Sequence, residues 1–168
     1  DHWATITLSG PESRSLLAPL TDIDLSPTDF AFMDWRAGLV CGLPARVFRI
    51  SFTGELTYEI NVNANDGLAL WQALMAAGAE VDLTPYGTET MHVLRAEKGF
   101  VIVGQDTDGS VTPEDLGMGW AVAKRKKFSF VGQRGMMRAD CLRGQRKQFV
   151  GLSPLNPSCV LPEGSQIV

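Results

Sequence analysis

Four groups of side chains in this sequence could do chemistry: a strand carboxylate at Glu59, two histidines, three cysteines and one dense basic run. His2 and His92 have neither His-x-x-x-His nor Glu-x-x-His spacing, so they do not make a metal site and read as surface or capping residues. Cys41, Cys141 and Cys159 are odd in number and lack Cys-x-x-Cys pairing, which indicates free thiols, not a disulfide framework or thiolate zinc. Lys124-Arg125-Lys126-Lys127 could attract a polyanionic tail or an acidic neighbouring subunit, or could be a solvated turn between Val122 and Phe128. Glu59 lies in a run that alternates cleanly from Leu56 to Val62, which puts Thr57, Glu59 and Asn61 on one face and Leu56, Tyr58, Ile60 and Val62 on the other. On that polar face Glu59 can point into a ligand cavity or out to solvent. No Gly-x-Gly-x-x-Gly leads from a strand into a helix and no phosphate loop is present, so a nucleotide site of either kind is unsupported.

The elements that must position Glu59 follow from periodicity. Trp3 to Leu8 alternates as a strand, and Ser9-Gly10-Pro11-Glu12 then opens a helix with an apolar stripe of Leu16, Leu17 and Leu20. Phe32 to Arg36, Leu39 to Cys41 and Ala45 to Phe52 predict a meander of strands, ended by the turn Thr53-Gly54-Glu55. Asn65-Asp66 caps a helix with Leu68, Trp71, Leu74 and Met75 at helical spacing until Gly78, and Thr84-Pro85 opens another that closes with Lys98 and an αL Gly99. Thr112-Pro113-Glu114-Asp115 predicts one helical turn before a strand at Trp120-Ala121-Val122. Strands in hairpin-like succession with interposed helices give an α+β class: a mainly antiparallel sheet with helices packed on one face.

Composition fits such a domain. Of 168 residues, 45% are hydrophobic and 20% charged, which excludes a disordered chain. The 15 Lys+Arg against 19 Asp+Glu give a net charge of -4, which argues against a nucleic-acid or anionic-membrane surface. Apolar runs fall far short of the ~20 residues needed to span a bilayer, and the opening Asp1-His2-Trp3 lacks the pattern of a signal peptide, so the expected location is cytoplasmic. The strand that opens without lead-in, and the apolar Ile167-Val168 just after the turn signal Pro162-Glu163-Gly164, read as a piece of a longer polypeptide.

Several motifs occur together and in order. Arg49-Ile-Ser-Phe-Thr-Gly-Glu-Leu-Thr-Tyr-Glu-Ile60 resembles the Thr-Gly-Glu…Tyr/Phe-Glu-Ile signature of the glycine-cleavage T-protein (aminomethyltransferase) superfamily. Leu94-Arg-Ala-Glu-Lys-Gly-Phe100, Gly104-Gln-Asp106, Thr112-Pro-Glu114 and Gly117-Met-Gly-Trp120 are similar to that family's later motifs in the same order. Within the superfamily, Phe32-Met-Asp-Trp-Arg36, Pro44 to Glu55 and Tyr86 to Gly99 look like the folate-binding portion of the alpha subunits of heterotetrameric sarcosine oxidases.

This resemblance implies a T-protein-like folate-binding fold over 1–146 followed by the start of a small β-barrel over 147–168. It implies tetrahydrofolate as the ligand, with the pterin gripped by Glu59, since a carboxylate can accept a ring N–H and the adjacent exocyclic amino group in a bidentate fork. Tyr58, Glu55 and Arg95 are second-choice folate-binding residues: the alternation favours core for Tyr58, Glu55 could cap backbone N–H groups, and Arg95 could be an internal ion-pair partner. For the whole assembly it implies oxidative demethylation of sarcosine to glycine, other sarcosine oxidase subunits as partners, and FAD, FMN and NAD elsewhere. No catalytic residue is expected within these residues, because the family's aspartate aligns upstream of Trp3, so the segment alone should be inactive. The sequence departs from the family at Met91, where T-proteins carry an arginine. A scaffold domain that has lost folate binding, or part of a true aminomethyltransferase, are the alternatives.

Overall fold

The computed structural model describes residues 2–162 and 164–166, which divide into two compact units, Asp1–Val101 and Ile102–Val168. The first unit is built on an antiparallel sheet of four strands: β1 (Trp3–Ser9), β2 (Trp35–Val40), β3 (Leu43–Phe48) and β4 (Thr57–Asn63), in the order β1-β4-β3-β2. β2 and β3 form a hairpin whose two loop residues, Cys41 and Gly42, both take positive φ (52° and 77°), the requirement of a turn that matches strand twist. β1 closes against β4 in the register Thr7↔Glu59 and Ser9↔Thr57, while β3 lies on the other side of β4 with Phe48↔Glu59.

The register sorts side chains by face. Leu8, Ala45, Val47, Tyr58, Ile60 and Val62 are buried on one side of the sheet. The other side carries Thr5, Thr7 and Ser9 from β1 beside Glu59 and Asn61 from β4. The alternation expected for β4 therefore holds, with Thr57 the exception: it is on the polar side yet only 1% exposed.

The core is completed by α1 (Ser13–Leu17), with Leu16 and Leu17 buried, and by α2 (Gly67–Ala77). α2 buries Leu70 and Leu74, while Leu68 and Trp71 are exposed, so the buried stripe is rotated from the expected one. Its cause is the first residue of the helix: a Cβ at Gly67 would lie 2.6 Å from the Ala4 methyl, so only glycine lets α2 approach β1 on this side. α3 (Thr88–Lys98) starts three residues after the expected Pro85, because Gly87 is extended and the Thr84 hydroxyl donates to the Asp82 carbonyl in a local turn. It ends as expected on an αL Gly99 (φ 81°).

The second unit contains short helices α4 (Gln133–Met136) and α5 (Ala139–Leu142) and no strand among the described residues. The strand expected at Trp120–Val122 is a 3-10 turn over Gly119–Ala121 with Trp120 exposed, since no neighbouring strand offers it a ladder. Thr112 and Asp115 form a reciprocal cap (Thr112 N–H to Asp115 Oδ2 2.8 Å), but αL Gly117 stops the backbone after one turn and no helix forms. The barrel start expected over 147–168 is likewise not seen: the described residues there are turns and irregular backbone. Its turn and apolar end fall on Glu163, Ile167 and Val168, which lie outside the described residues.

Candidate functional site

The polar face of the first sheet opens into a cavity of about 410 Å³, within the ~300–1,000 Å³ range of small-molecule sites. Glu59 stands in its wall, half-buried, between Thr7 on β1 and Phe48 on β3. Its carboxylate is held from its own strand: Asn61 Nδ2 donates to Glu59 Oε1 (3.2 Å), and the Thr5 hydroxyl donates to Asn61 Oδ1 (2.6 Å). Because Asn61 is two residues along, both side chains project from the same face, and the amide leaves the carboxylate acceptor capacity for a ligand.

A chain of hydroxyls continues the wall. Ser51 Oγ lies 3.1 Å from Thr57 Oγ1, which is 3.1 Å from Ser9 Oγ, which is 3.3 Å from the Tyr86 hydroxyl. Ser51 also accepts the Gly54 N–H at 2.9 Å, which fixes the turn that carries Thr53 into the cavity. Ile50, Phe52 and Met91 supply the apolar remainder. A second cavity of about 420 Å³ runs along β1 between α2 and the start of α3, lined by Trp71, Leu74, Met75 and Leu83, and it shares Thr7, Ser9, Tyr86 and Met91 with the first.

The other expected site residues are placed elsewhere. Tyr58 is fully buried on the opposite face of β4, packed 6.0 Å from Phe30, and its hydroxyl accepts from Arg14 Nε at 3.0 Å. Glu55 is exposed beside Arg49 and Lys98 in a separate cleft. Arg95 is buried at the end of α3, where Nη1 donates to the Phe100 carbonyl (3.1 Å) and helps close the αL cap. Of the four, only Glu59 lines the hydroxyl-walled cavity. Thr7, Ser9, Thr53 and Tyr86 were not foreseen; alternation of β1 puts Thr5, Thr7 and Ser9 on one face, but only the register with β4 brings that face to Glu59.

The remaining candidates make no site. Among the described residues no group of three or more His, Cys, Asp or Glu is arranged to hold a metal ion. Among the described residues no helix is long and apolar enough to cross a membrane. The cysteines are free, and burial pushes the Cys41 thiol up. In the basic run, Lys124 pairs with Glu114, and Lys126 lies over the rings of Phe128 and Phe130 at 5.6 and 5.7 Å.

Against models of known families, residues 1–126 match the GCVT N-terminal domain. The chain belongs to this family. Sarcosine oxidase subunit alpha from Corynebacterium sp. (strain P-1) is 52% identical over the whole of this chain, which covers 17% of that protein. An aminomethyltransferase from Halothermothrix orenii is 34% identical over 82% of this chain and 38% of its own length. A chain of the solved heterotetrameric sarcosine oxidase from Corynebacterium sp. U-96, in complex with pyrrole 2-carboxylate, aligns with TM-score 0.45 and 21% identity over 51% of this chain and 43% of that one. The chain thus spans about one sixth of the length of the sarcosine oxidase subunits it matches. In this GCVT domain, the cavity around Glu59 is lined by the segment that carries the Thr-Gly-Glu motif and the strand that follows it, together with Thr7 and Ser9 of β1 and Tyr86 and Met91.

Proposed function

We propose that this GCVT domain is the folate-handling part of a sarcosine oxidase alpha subunit. The observation that carries the reading is the Glu59 carboxylate, oriented by Asn61 in a cavity otherwise walled by hydroxyls and apolar side chains. A reduced pterin offers a ring N–H beside an exocyclic amino group, and a half-buried carboxylate is the acceptor that matches both. The donor set present fits the group: one anion for the two ring donors, hydroxyls for the remaining polar edge, and Ile50, Phe52 and Met91 for the ring faces.

Tetrahydrofolate, when bound, supplies the nucleophilic nitrogen that takes up the one-carbon unit released as sarcosine is oxidised to glycine. The residues of this domain bind and orient it and keep water from the labile one-carbon unit. Flavin and nicotinamide chemistry, and the other subunits of a hetero-oligomer, belong to the remainder of the assembly, for which a cytoplasmic location fits. Tyr58 and Arg95 serve this reading from behind the site, by packing β4 and by capping α3.

A second reading, a scaffold domain of the same fold, is favoured by one feature: Met91 lines both cavities, where a guanidinium would anchor an anionic tail. Calorimetric titration of folinate (5-formyltetrahydrofolate) into the full-length protein, with Glu59→Gln beside it, separates the two. Loss of one charged hydrogen-bond partner should weaken binding by about 2 kcal/mol, roughly thirtyfold in Kd. Absence of binding by the unsubstituted protein would favour the scaffold, and equal affinity in both proteins would count against Glu59 as the anchor.

A further inference from the structure

Among the described residues, every buried hydroxyl around Glu59 has a protein partner except one. Thr53 is 5% exposed, its Oγ1 makes no hydrogen bond, and it lines the same cavity as Glu59. Ser9, Ser51 and Thr57 satisfy one another, and Tyr86 closes their chain. A hydroxyl withdrawn from water without a partner is unfavourable, and a valine of the same shape would avoid the cost at this position.

The backbone keeps Thr53 from relieving itself. The next residue, Gly54, has φ 84° and donates its N–H to Ser51 Oγ at 2.9 Å. A Cβ at Gly54 would overlap the Lys98 side chain, so the turn is held from both sides. Thr53 is thereby fixed in the wall of the cavity that Glu59 also lines, its buried O–H uncommitted.

We propose that Thr53 is a ligand-reading residue whose hydroxyl donates to an acceptor on the ring edge next to the two donors taken by Glu59. This deepens the folate reading and rests on it. In a 2-amino-4-oxo pteridine the amino group, the ring N–H and the 4-oxo oxygen follow one another, a donor–donor–acceptor edge. Glu59 accepts from the first two and Thr53 donates to the third. A carboxylate alone binds any adjacent pair of N–H groups; the hydroxyl adds the demand for a carbonyl beside them.

The test uses the full-length protein with Thr53→Val, Thr53→Ser and Glu59→Gln, reading folinate affinity by calorimetry and thermal unfolding without ligand. Thr53→Val should weaken folinate roughly tenfold, the value of one neutral hydrogen bond, while the ligand-free melting temperature stays level or rises. Thr53→Ser should restore the affinity. An unchanged Kd in Thr53→Val, with Glu59→Gln still weakening binding, overturns the role of Thr53 and leaves the folate reading standing. A Thr53→Val protein that fails to fold, or melts lower with no change in Kd, also overturns it, because the hydroxyl would then be structural. No folinate binding by the unsubstituted protein overturns both.

Discussion

The two units of this chain are held together by different physics. Among the described residues every buried apolar side chain lies in the first unit, from Leu8 to Leu74, and there the sheet and the core support each other. In the second unit the one buried residue among those described is an aspartate, Asp115. Arg146 Nε and Nη2 grip its two carboxylate oxygens at 2.7 and 2.5 Å, Nη1 reaches Asp140 Oδ2 at 2.7 Å, and Nη2 also donates to the Ser110 carbonyl at 2.6 Å. The Phe149 N–H completes the knot on the Asp115 carbonyl at 2.7 Å. One unit is stabilised by area removed from water, the other by a single polar cluster that ties four stretches of irregular chain. The contrast implies that the first should yield to cavities and the second to loss of charge.

The largest effect expected is therefore in the first unit. Leu74 is 2% exposed on α2, and Leu74→Ala removes methyl groups from the core cluster. Such truncations cost about 3 kcal/mol. Thermal unfolding followed with hydrogen exchange should give a lowered midpoint for amides of β1 to β4 and unchanged protection around Asp115. A uniform loss across both units would mean that they unfold as one.

Charge loss should do the reverse. The Arg146 guanidinium, and after it the Thr112 N–H, hold the Asp115 carboxyl well below its ordinary value of 3.8. The folded-state value is depressed, so the ionised carboxylate stabilises the second unit above the unfolded value and that contribution is lost as pH falls beneath it toward the folded one. Acidification below about pH 3.8 should therefore loosen residues 110–149 before the sheet. Arg146→Gln should loosen the same residues at neutral pH and abolish the acid transition there. Proteolysis at neutral pH checks this, with cleavage confined to the second unit as the expected pattern.

The same contrast explains what could be read from the sequence. β1, β4 and the β2–β3 hairpin carry their burial pattern in the alternation of Ile6 and Leu8 or Tyr58 and Ile60, and the αL end of α3 is written in Gly99. The polar face of β4, and so Glu59, was legible for that reason. The hydroxyl wall was not: it arises where Thr7 meets Glu59 and Ser9 meets Thr57, a pairing across roughly fifty residues that no local pattern encodes. The exposure of Trp71 was hidden too, because the approach of Gly67 to Ala4 turns the helix, and periodicity alone does not know which side meets the sheet. In the second unit local signals misled. Trp120-Ala121-Val122 has strand composition but no strand beside it, and the Thr112–Asp115 cap spends its carboxylate on Arg146.

The smallest effect lies at the site, and it sharpens the comparison by asking whether the first unit uses polar contacts for positioning instead of stability. Asn61 is half-buried, and its side-chain amide bonds to the Thr5 and Glu59 side chains on the open face. Asn61→Ala should leave the unfolding midpoint nearly unchanged, since the core face of β4 is untouched. It should weaken folinate by about 1 kcal/mol, near fivefold, because Glu59 must then be ordered by the ligand itself. The effect is indirect, so it should vanish in a Glu59→Gln background, where the carboxylate that Asn61 orients is gone. An Asn61→Ala cost that persists in that background would mean that the amide touches the ligand directly, and the relay Thr5–Asn61–Glu59 would be a second set of contacts, not a brace.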